Sequence, residues 1–191
     1  MFGWFFLTSF DYLALSKRAV CSVTFLSNMI YWLEVGYFDA EADEKWLLHT
    51  WSLSVEWQFY ILYPLTIVFL VRVFPLKIVK LTIVLATVVG FLFCVLVSLK
   101  RPDFAYYMLP ARAWEMLAGG IAFLYPFKFS KLTKRVTEVV GLILIFVSYF
   151  WVTEHDMWPG YLGLLPVLGT ILIIYGNNQY SLITGNIVFQ N

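Results

Sequence analysis

The feature that most limits the fold is the apolar run from residue 78 to residue 98, IVKLTIVLATVVGFLFCVLVS, in which Lys80 is the only charged residue. A helix that crosses the hydrocarbon core of a bilayer needs roughly 17 to 25 mostly apolar residues. Four further segments have this character: 53–72, 106–126, 137–153 and 160–176. The pattern predicts an all-α fold, a polytopic transmembrane helix bundle with about five spans.

Composition supports a lipid bilayer as the partner of this chain. Hydrophobic residues make up 61% of the sequence, charged residues make up 13%, and the mean hydropathy is +0.79, which is far from the values of soluble domains. The formal net charge is +1, so no extended basic field is present for nucleic acid, and we expect no nucleic-acid partner.

Segment 19–36 is apolar but less suited to crossing. It contains several polar residues that are costly on a lipid-facing helix: Ser22, Thr24, Ser27, Asn28 and Glu34. We expect it to be re-entrant or interfacial, because the preceding stretch, MFGWFFLTSF, reads as the end of an earlier span. The closing stretch also lacks a final element. Residues 1–191 are therefore interpreted as a single partial membrane domain, truncated at both ends.

Basic residues set the expected topology. They cluster in the loops at 72–80 and 128–135, which the positive-inside rule places in the cytoplasm. The intervening loops, 37–50 and 154–159, are then outside. The helix that follows residue 50 begins at the outer face, so chemistry on its first turns is predicted to occur near the extracytoplasmic surface.

The stretch LLHTWSLSVEWQFY carries the first group of candidate functional residues. His49 and Glu56 are about two helical turns apart and therefore share one face of a helix. Ser52, Tyr60 and Tyr63 lie near the same line. Such a polar stripe on an apolar helix is expected to face a protein interior or a hydrated cleft.

Glu56 is the most informative member of the stripe, because an unpaired carboxylate within the bilayer costs several kcal/mol. It suits general acid or base catalysis, and it can hold the His49 imidazole in one tautomer. The alternatives are a structural hydrogen bond for Glu56 and an interfacial anchor for His49. His155 is interpreted as a residue of a solvated loop, and no metal site is predicted. Cys21 and Cys94 are interpreted as packing residues.

A second group lies in PARAWEMLAGG, where Pro110 begins a helix. Arg112 and Glu115 are three positions apart and so adjacent on one face. Either they neutralise each other within the membrane, or Arg112 faces a cleft and binds an anionic or carbonyl group that Glu115 helps to orient. The small residues from Ala118 to Ala122 are expected to allow close approach of another helix.

LLHTWSLSVEWQFYILYPL resembles the signature of acyltransferase family 3, the multi-pass bacterial acyltransferases that include O-antigen O-acetylases. Three other stretches resemble family segments in the same order: LSNMIYWLEVGYFDAEADEKW, YYMLPARAWEMLAGG and MWPGYLGLLPVLGTILII. Relatives commonly read SVEEQFY, whereas this chain has Trp57 in place of the second glutamate.

The resemblance implies a multi-pass protein of the bacterial inner membrane that moves an acyl group, commonly acetyl, from acetyl-CoA or another acyl-CoA. The acceptor is a hydroxyl of a cell-envelope glycan such as lipopolysaccharide O-antigen. No bound cofactor is implied. The family's first helix, its cytoplasmic arginine cluster and its final helices have no counterpart here. The resemblance therefore implies partner helices of the same domain, without which the chain alone is expected to be inactive.

On this reading, His49 and Glu56 are the catalytic residues. The residues expected to bind substrate are Arg112 and Glu115, with Ser52 and Tyr60 from the polar stripe. The alternative is a non-enzymatic membrane transporter or assembly subunit, in which the same polar helix face lines a pathway or fastens helices together.

Overall fold

The computed structural model describes residues 8–35, 47–127, 129–153, 156 and 158–176. Within these residues the secondary structure consists of eight helices, without a β-strand, which confirms the all-α prediction. The helices are α1 (Ser9–Val23), α2 (Ser27–Glu34), α3 (Thr50–Val73), α4 (Leu76–Lys100), α5 (Pro102–Tyr107), α6 (Leu109–Leu124), α7 (Lys131–Trp151) and α8 (Leu164–Gly176). The predictions for the first seven residues, most of the acidic loop, His155 and the C-terminal stretch lie outside the described residues.

Helices α3 and α4 are each long and apolar enough to cross a membrane. Phe74 has an extended backbone and Pro75 caps α4, so a sharp turn separates the two helices. Both present apolar side chains at their surfaces, as helices in contact with lipid do. These two elements match the predicted spans at 53–72 and 78–98.

The prediction of about five spans needs correction, because only these two of the described helices meet the length and composition expected of a span. Segment 106–126 is divided at Met108, whose backbone is extended, and Pro110 lies in the first turn of the 16-residue helix that follows. Helix α7 has 21 residues but begins with charged residues, and α8 has only 13.

Segment 19–36 also breaks into two helices. Helix α1 ends at Val23 and α2 begins at Ser27. Between them Phe25 has a φ of 57°, a left-handed conformation that is uncommon for a bulky residue. The segment therefore forms no continuous helix of spanning length, in agreement with the expectation that it does not cross as a single span.

The helices pack as two close pairs. Helix α7 meets α8 at Gly141 and Gly169, where a β-carbon on Gly141 would lie 2.6 Å from the Gly169 carbonyl oxygen. Helix α4 meets α6 where Gly90 faces Trp114. On the predicted small-residue surface of α6, Ala118 and Ala122 are buried, and Gly120 lies against α3, where a β-carbon would be 3.3 Å from the Tyr63 hydroxyl. The tightest glycine contact is on a different pair of helices from the one predicted.

Candidate functional site

Helix α3 has two different sides. Trp51, Ser54 and Val55 are buried. His49 and Glu56 are exposed. The difference follows from helix geometry, since Glu56 is rotated by about 140° from Trp51 around the helix axis. The side that packs against the protein is therefore not the side that carries the predicted catalytic pair.

Most of the predicted polar stripe lies on the exposed side of α3, but Tyr63 is half-buried, and its hydroxyl would lie 3.3 Å from a β-carbon on Gly120 of α6. Tyr60 is 57% exposed, and Ser52 is half-buried, with its hydroxyl donating to the His49 carbonyl oxygen at 3.2 Å. Within the described part of the chain, the Glu56 carboxylate and the His49 ring make no hydrogen bond or ion pair. The described helices leave this side of α3 exposed, so the expectation that the stripe faces a protein interior or a hydrated cleft stays a prediction.

Hydrogen bonds join the opposite side of α3 to α2, and we call this set of contacts the polar seam. The sequence analysis did not predict it. The Ser27 and Ser54 hydroxyls are 2.6 Å apart and buried. The Gln58 amide donates to the Asn28 side-chain oxygen at 2.8 Å and to the Phe25 carbonyl oxygen at 2.7 Å. The available signal was the spacing of Ser54 and Gln58, which are four residues apart and so adjacent on one face.

The same seam reaches α5, because the Asn28 amide donates to the Tyr107 carbonyl oxygen at 3.2 Å. The left-handed residue between α1 and α2 leaves its carbonyl oxygen outside the helical ladder, and Gln58 satisfies it. The polar residues that made segment 19–36 unsuitable for lipid are thus partnered by protein. This arrangement holds the broken helix against the start of α3.

Glu34 also has a partner that the sequence reading did not identify. The Arg18 Nη2 atom lies 3.0 Å from its Oε2 atom, and the Arg18 Nε donates to the same carboxylate. The Arg18 guanidinium lies 6.0 Å from the centre of the Tyr31 ring. Burial raises the pKa of the Tyr31 phenol above its ordinary value, and the Arg18 charge acts in the opposite direction. The ion pair joins two helices across the break, so spacing along the sequence could not reveal it.

Arg112 and Glu115 form the predicted pair, with 3.5 Å between Nη2 and Oε2. Both side chains are largely buried. The Arg112 guanidinium also lies 5.1 Å from the centre of the Trp51 ring on α3, within the range of cation–π attraction. Its Nε atom is buried and has no hydrogen-bond partner among the described residues. The structure therefore brings together one residue from each of the two sequence motifs, Trp51 and Arg112.

Glu115 also lines a cleft between α6 and α8, with a volume of about 220 Å³. The other lining residues are Gly119, Trp158, Gly163, Pro166, Val167, Thr170, Ile171 and Ile174. The carboxylate is therefore placed between a guanidinium and a largely apolar space. A ligand in the cleft could donate a hydrogen bond to Glu115.

The predicted site residues thus fall into two groups on different sides of α3. Arg112 and Glu115 are packed against its buried side through Trp51. His49 and Glu56 lie on its exposed side. Within the described residues, no three side chains of the types that bind metals come together as a candidate metal site.

Comparison with known proteins identifies distant relatives. An uncharacterised protein of Haemophilus influenzae is 29% identical over 187 residues, which cover 90% of this chain and 75% of that protein. The O-acetyltransferase OatA of Staphylococcus aureus is 28% identical over 156 residues, covering 75% of this chain and 26% of its own length. The peptidoglycan O-acetyltransferase OatA of Listeria monocytogenes is 29% identical over 175 residues, covering 81% and 27%.

No family model and no solved structure matches the chain. The chain spans about a quarter of the length of the two OatA relatives. Their similarity extends over most of this chain, although the identity is low. The chain is thus similar to proteins named O-acetyltransferase, and two of its described helices are long and apolar enough to cross a membrane.

Proposed function

We propose that this chain is part of a membrane O-acyltransferase that moves an acyl group, in the simplest case acetyl, from acyl-CoA to a hydroxyl of a cell-envelope glycan. The observation that carries the proposal is the similarity to proteins named O-acetyltransferase over three quarters or more of this chain. The resemblance of the His49 to Glu56 motif to acyltransferase family 3 points in the same direction. The reaction attaches the hydroxyl oxygen to the thioester carbonyl carbon and releases coenzyme A as the thiol, which receives the hydroxyl proton.

The relatives favour peptidoglycan as the acceptor, since one of them is named for that substrate. The family resemblance had suggested O-antigen. Both are envelope glycans with free hydroxyls. We propose a peptidoglycan hydroxyl as the acceptor, with O-antigen as the alternative that the experiment below separates from it.

The proposed location is the bacterial inner membrane, with α3 and α4 as the two crossings among the described helices. The outer end of α7 supports this arrangement, because Tyr149, Phe150 and Trp151 are each more than 70% exposed there. Aromatic side chains of this kind are enriched at membrane interfaces.

The proposed roles follow the two sides of α3. On the exposed side, Glu56 removes the proton from the acceptor hydroxyl and His49 assists in orienting it, with Ser52 and Tyr60 as substrate contacts. On the other side, Arg112 binds a part of the donor or acceptor away from the reacting hydroxyl, and Glu115 holds the guanidinium in place. These roles require further helices that cover the exposed side, because a catalytic carboxylate needs an enclosed setting in order to work efficiently.

One observation favours the alternative of an assembly subunit. The side of α3 with His49 and Glu56 is exposed, and its carboxylate is unpaired among the described residues. Such a face would also suit attachment to another membrane protein, with Glu56 meeting a cationic partner. In that case the chain would have no acyltransferase activity.

The deciding experiment measures ester-linked acetate on purified peptidoglycan and on purified lipopolysaccharide. Both should be isolated from cells with the intact gene, from cells lacking it, and from cells complemented with Glu56→Gln. We expect acetate on peptidoglycan to fall in the deletion strain and to remain low with the variant. Acetate that falls only on lipopolysaccharide identifies the other acceptor. Acetate that is unchanged on both glycans would favour the assembly subunit.

A further inference from the structure

A cluster of aromatic rings covers the beginning of α3 and has no part in the proposed acid–base chemistry. Helix α5, which has only six residues, contributes three of the rings: Phe104, Tyr106 and Tyr107. The rings that they contact belong to Trp32 on α2 and Trp51 on α3. Because α5 directly follows α4, which begins at a basic loop, the positive-inside rule predicts that this cluster lies at the outer end of the bundle.

Tyr106 is the exposed ring of this cluster. Its centre lies 4.5 Å from the centre of the Trp51 ring and 5.0 Å from that of the Tyr107 ring, so protein covers one side of it. The residue is nevertheless 37% exposed. A flat ring that is held by its neighbours is a rigid contact surface, and little side-chain entropy is lost when a ligand packs on it.

The short helix that carries Tyr106 is itself well fixed. Pro102 lies in its first turn, and Ala105 is fully buried. The Tyr107 carbonyl oxygen accepts a hydrogen bond from the Asn28 amide of α2 at 3.2 Å. Since Ala105 faces the protein, the next side chain along α5 is rotated by about 100° towards the surface. The position of the Tyr106 ring is therefore set by the fold before any ligand binds.

The surroundings of the Tyr106 ring are polar. Arg101 and Asp103 are both exposed. Asp103 is three positions from Tyr106 and therefore adjacent to it on α5. Charged side chains are costly against hydrocarbon, so this surface suits a hydrated ligand better than a lipid chain. The Asp103 carboxylate can accept hydrogen bonds from the hydroxyl groups of such a ligand.

We propose that Tyr106 and Asp103 bind one sugar of the acceptor glycan. A pyranose ring has an apolar face of C–H groups, which packs on the phenol ring, and hydroxyls at its edge, one of which donates to the Asp103 carboxylate. That this sugar belongs to an acceptor rests on the proposed transfer to a glycan.

The bound sugar is not the one that reacts. Tyr106 contacts Trp51 on the buried side of α3, whereas Glu56 is on the exposed side. The width of a helix with its side chains, about 10 to 12 Å, separates the two sides. A single sugar does not extend over this distance, but a strand of several sugars does. The Tyr106 surface therefore favours polymeric glycans over free sugars.

The experiment measures equilibrium binding of a radiolabelled hexasaccharide with the backbone of peptidoglycan. Native membranes that contain the full chain are compared with membranes from the deletion strain, and the difference is the specific binding. We expect Tyr106→Ala to weaken it about five- to tenfold, the loss of one ring contact, and Tyr106→Phe, which keeps the ring, to bind as the wild type does. Immunoblotting corrects for the amount of protein.

Two further variants keep the test decisive if Tyr106→Ala lowers the amount of folded protein. Asp103→Ala changes an exposed side chain and should weaken binding about threefold through the loss of one hydrogen bond. Tyr161→Ala is the matched control, because Tyr161 is 59% exposed and lies in another segment near the predicted outer surface. We expect it to bind the hexasaccharide as the wild type does.

Unchanged binding in both Tyr106→Ala and Asp103→Ala would overturn the proposal and would assign Tyr106 to the membrane interface. An equal loss in Tyr161→Ala would also overturn it. Because binding is measured without acyl transfer, the result is separate from that of the glycan assay. Loss of peptidoglycan acetate in the deletion strain without specific hexasaccharide binding would disprove the sugar site and leave the proposed function standing. Binding that depends on Tyr106, with unchanged glycan acetate, would do the reverse.

Discussion

The two sides of α3 differ in whether their polar side chains have hydrogen-bond or ion-pair partners within the described protein. On the buried side, Ser54 and Gln58 form hydrogen bonds to α2, and Trp51 packs beneath Arg112. On the exposed side, His49 and Glu56 have neither hydrogen bonds nor ion pairs within the described residues. The polar groups of the buried side stabilise the fold, whereas those of the other side are free to serve a substrate or a partner.

This difference matters because substitution of a partnered residue and substitution of an unpartnered residue should have different effects. A residue whose polar atoms are all satisfied by protein affects stability when it is changed. A residue that is unpartnered in the fold affects stability little, so a large loss of activity on its replacement indicates chemistry. Four experiments with substitutions on α3, ordered by expected effect, test whether the two sides differ in this way.

The largest effect is expected for Glu56→Gln, which keeps the shape of the side chain but removes its ability to take up a proton. Acyl transfer by the complete enzyme should fall by about 10² to 10⁴-fold, the usual contribution of a general base. The amount of protein in the membrane should remain unchanged. Glycan acetate and immunoblotting of membranes measure the two quantities. Depletion of the protein with this variant would assign Glu56 to packing instead.

Trp51→Ala should have the largest effect on stability. Trp51 is 8% exposed and contacts Tyr106, Tyr107 and the Arg112 guanidinium. Removing so large a buried side chain typically costs about 3 to 5 kcal/mol. Thermal unfolding of the protein in detergent should show a clear decrease in midpoint. Leu53→Ala on the exposed side is the control, and an equal decrease there would contradict the difference between the sides.

Gln58→Ala should destabilise the seam between α2 and α3. The Asn28 side-chain oxygen and the Phe25 carbonyl oxygen would each lose their donor, and leaving a buried acceptor unpaired costs about 1 to 3 kcal/mol. Proteolysis near the break between α1 and α2 should become faster. The comparison is with Tyr60→Phe on the exposed side, for which we expect unchanged proteolysis.

The smallest effects are expected from a matched pair of serines. Ser54→Ala removes a buried hydroxyl that is 2.6 Å from Ser27 and should cost about 1 kcal/mol. Ser52→Ala removes only a local bond to the His49 carbonyl oxygen, so the change should stay within about 0.5 kcal/mol. The unfolding midpoints of the two variants, measured side by side, test this order. A larger decrease for Ser52→Ala than for Ser54→Ala would show that the buried side of α3 is not the stabilising side.

Much of the fold could be predicted from local sequence. The long apolar runs predicted α3 and α4, and Pro110 correctly predicted the first turn of α6. The spacing of Arg112 and Glu115 predicted their ion pair. These features depend on residues within one helix or one turn, where the helical period alone fixes which side chains are neighbours.

The count of spans was less predictable, because hydropathy does not report where a helix begins. Segment 106–126 is apolar throughout, yet Met108 interrupts it with an extended backbone. The apolar segment ending at Gly176 likewise becomes helical only from Leu164. Helix boundaries depend on the turn and cap geometry at individual residues, which averaging over a window conceals.

The sequence by itself determined that the chain is helical, that the runs at 53–72 and 78–98 are apolar enough to cross a membrane, and that His49 and Glu56 share a face. Only the tertiary structure decided which side of α3 would be buried, since that choice depends on residues far away in the chain: Asn28 reaches Gln58, and Arg112 reaches Trp51. It also decided that Arg18 pairs with Glu34 and that Glu115 borders a cleft. Such contacts form between helices, and the helical period carries no information about which faces of different helices meet.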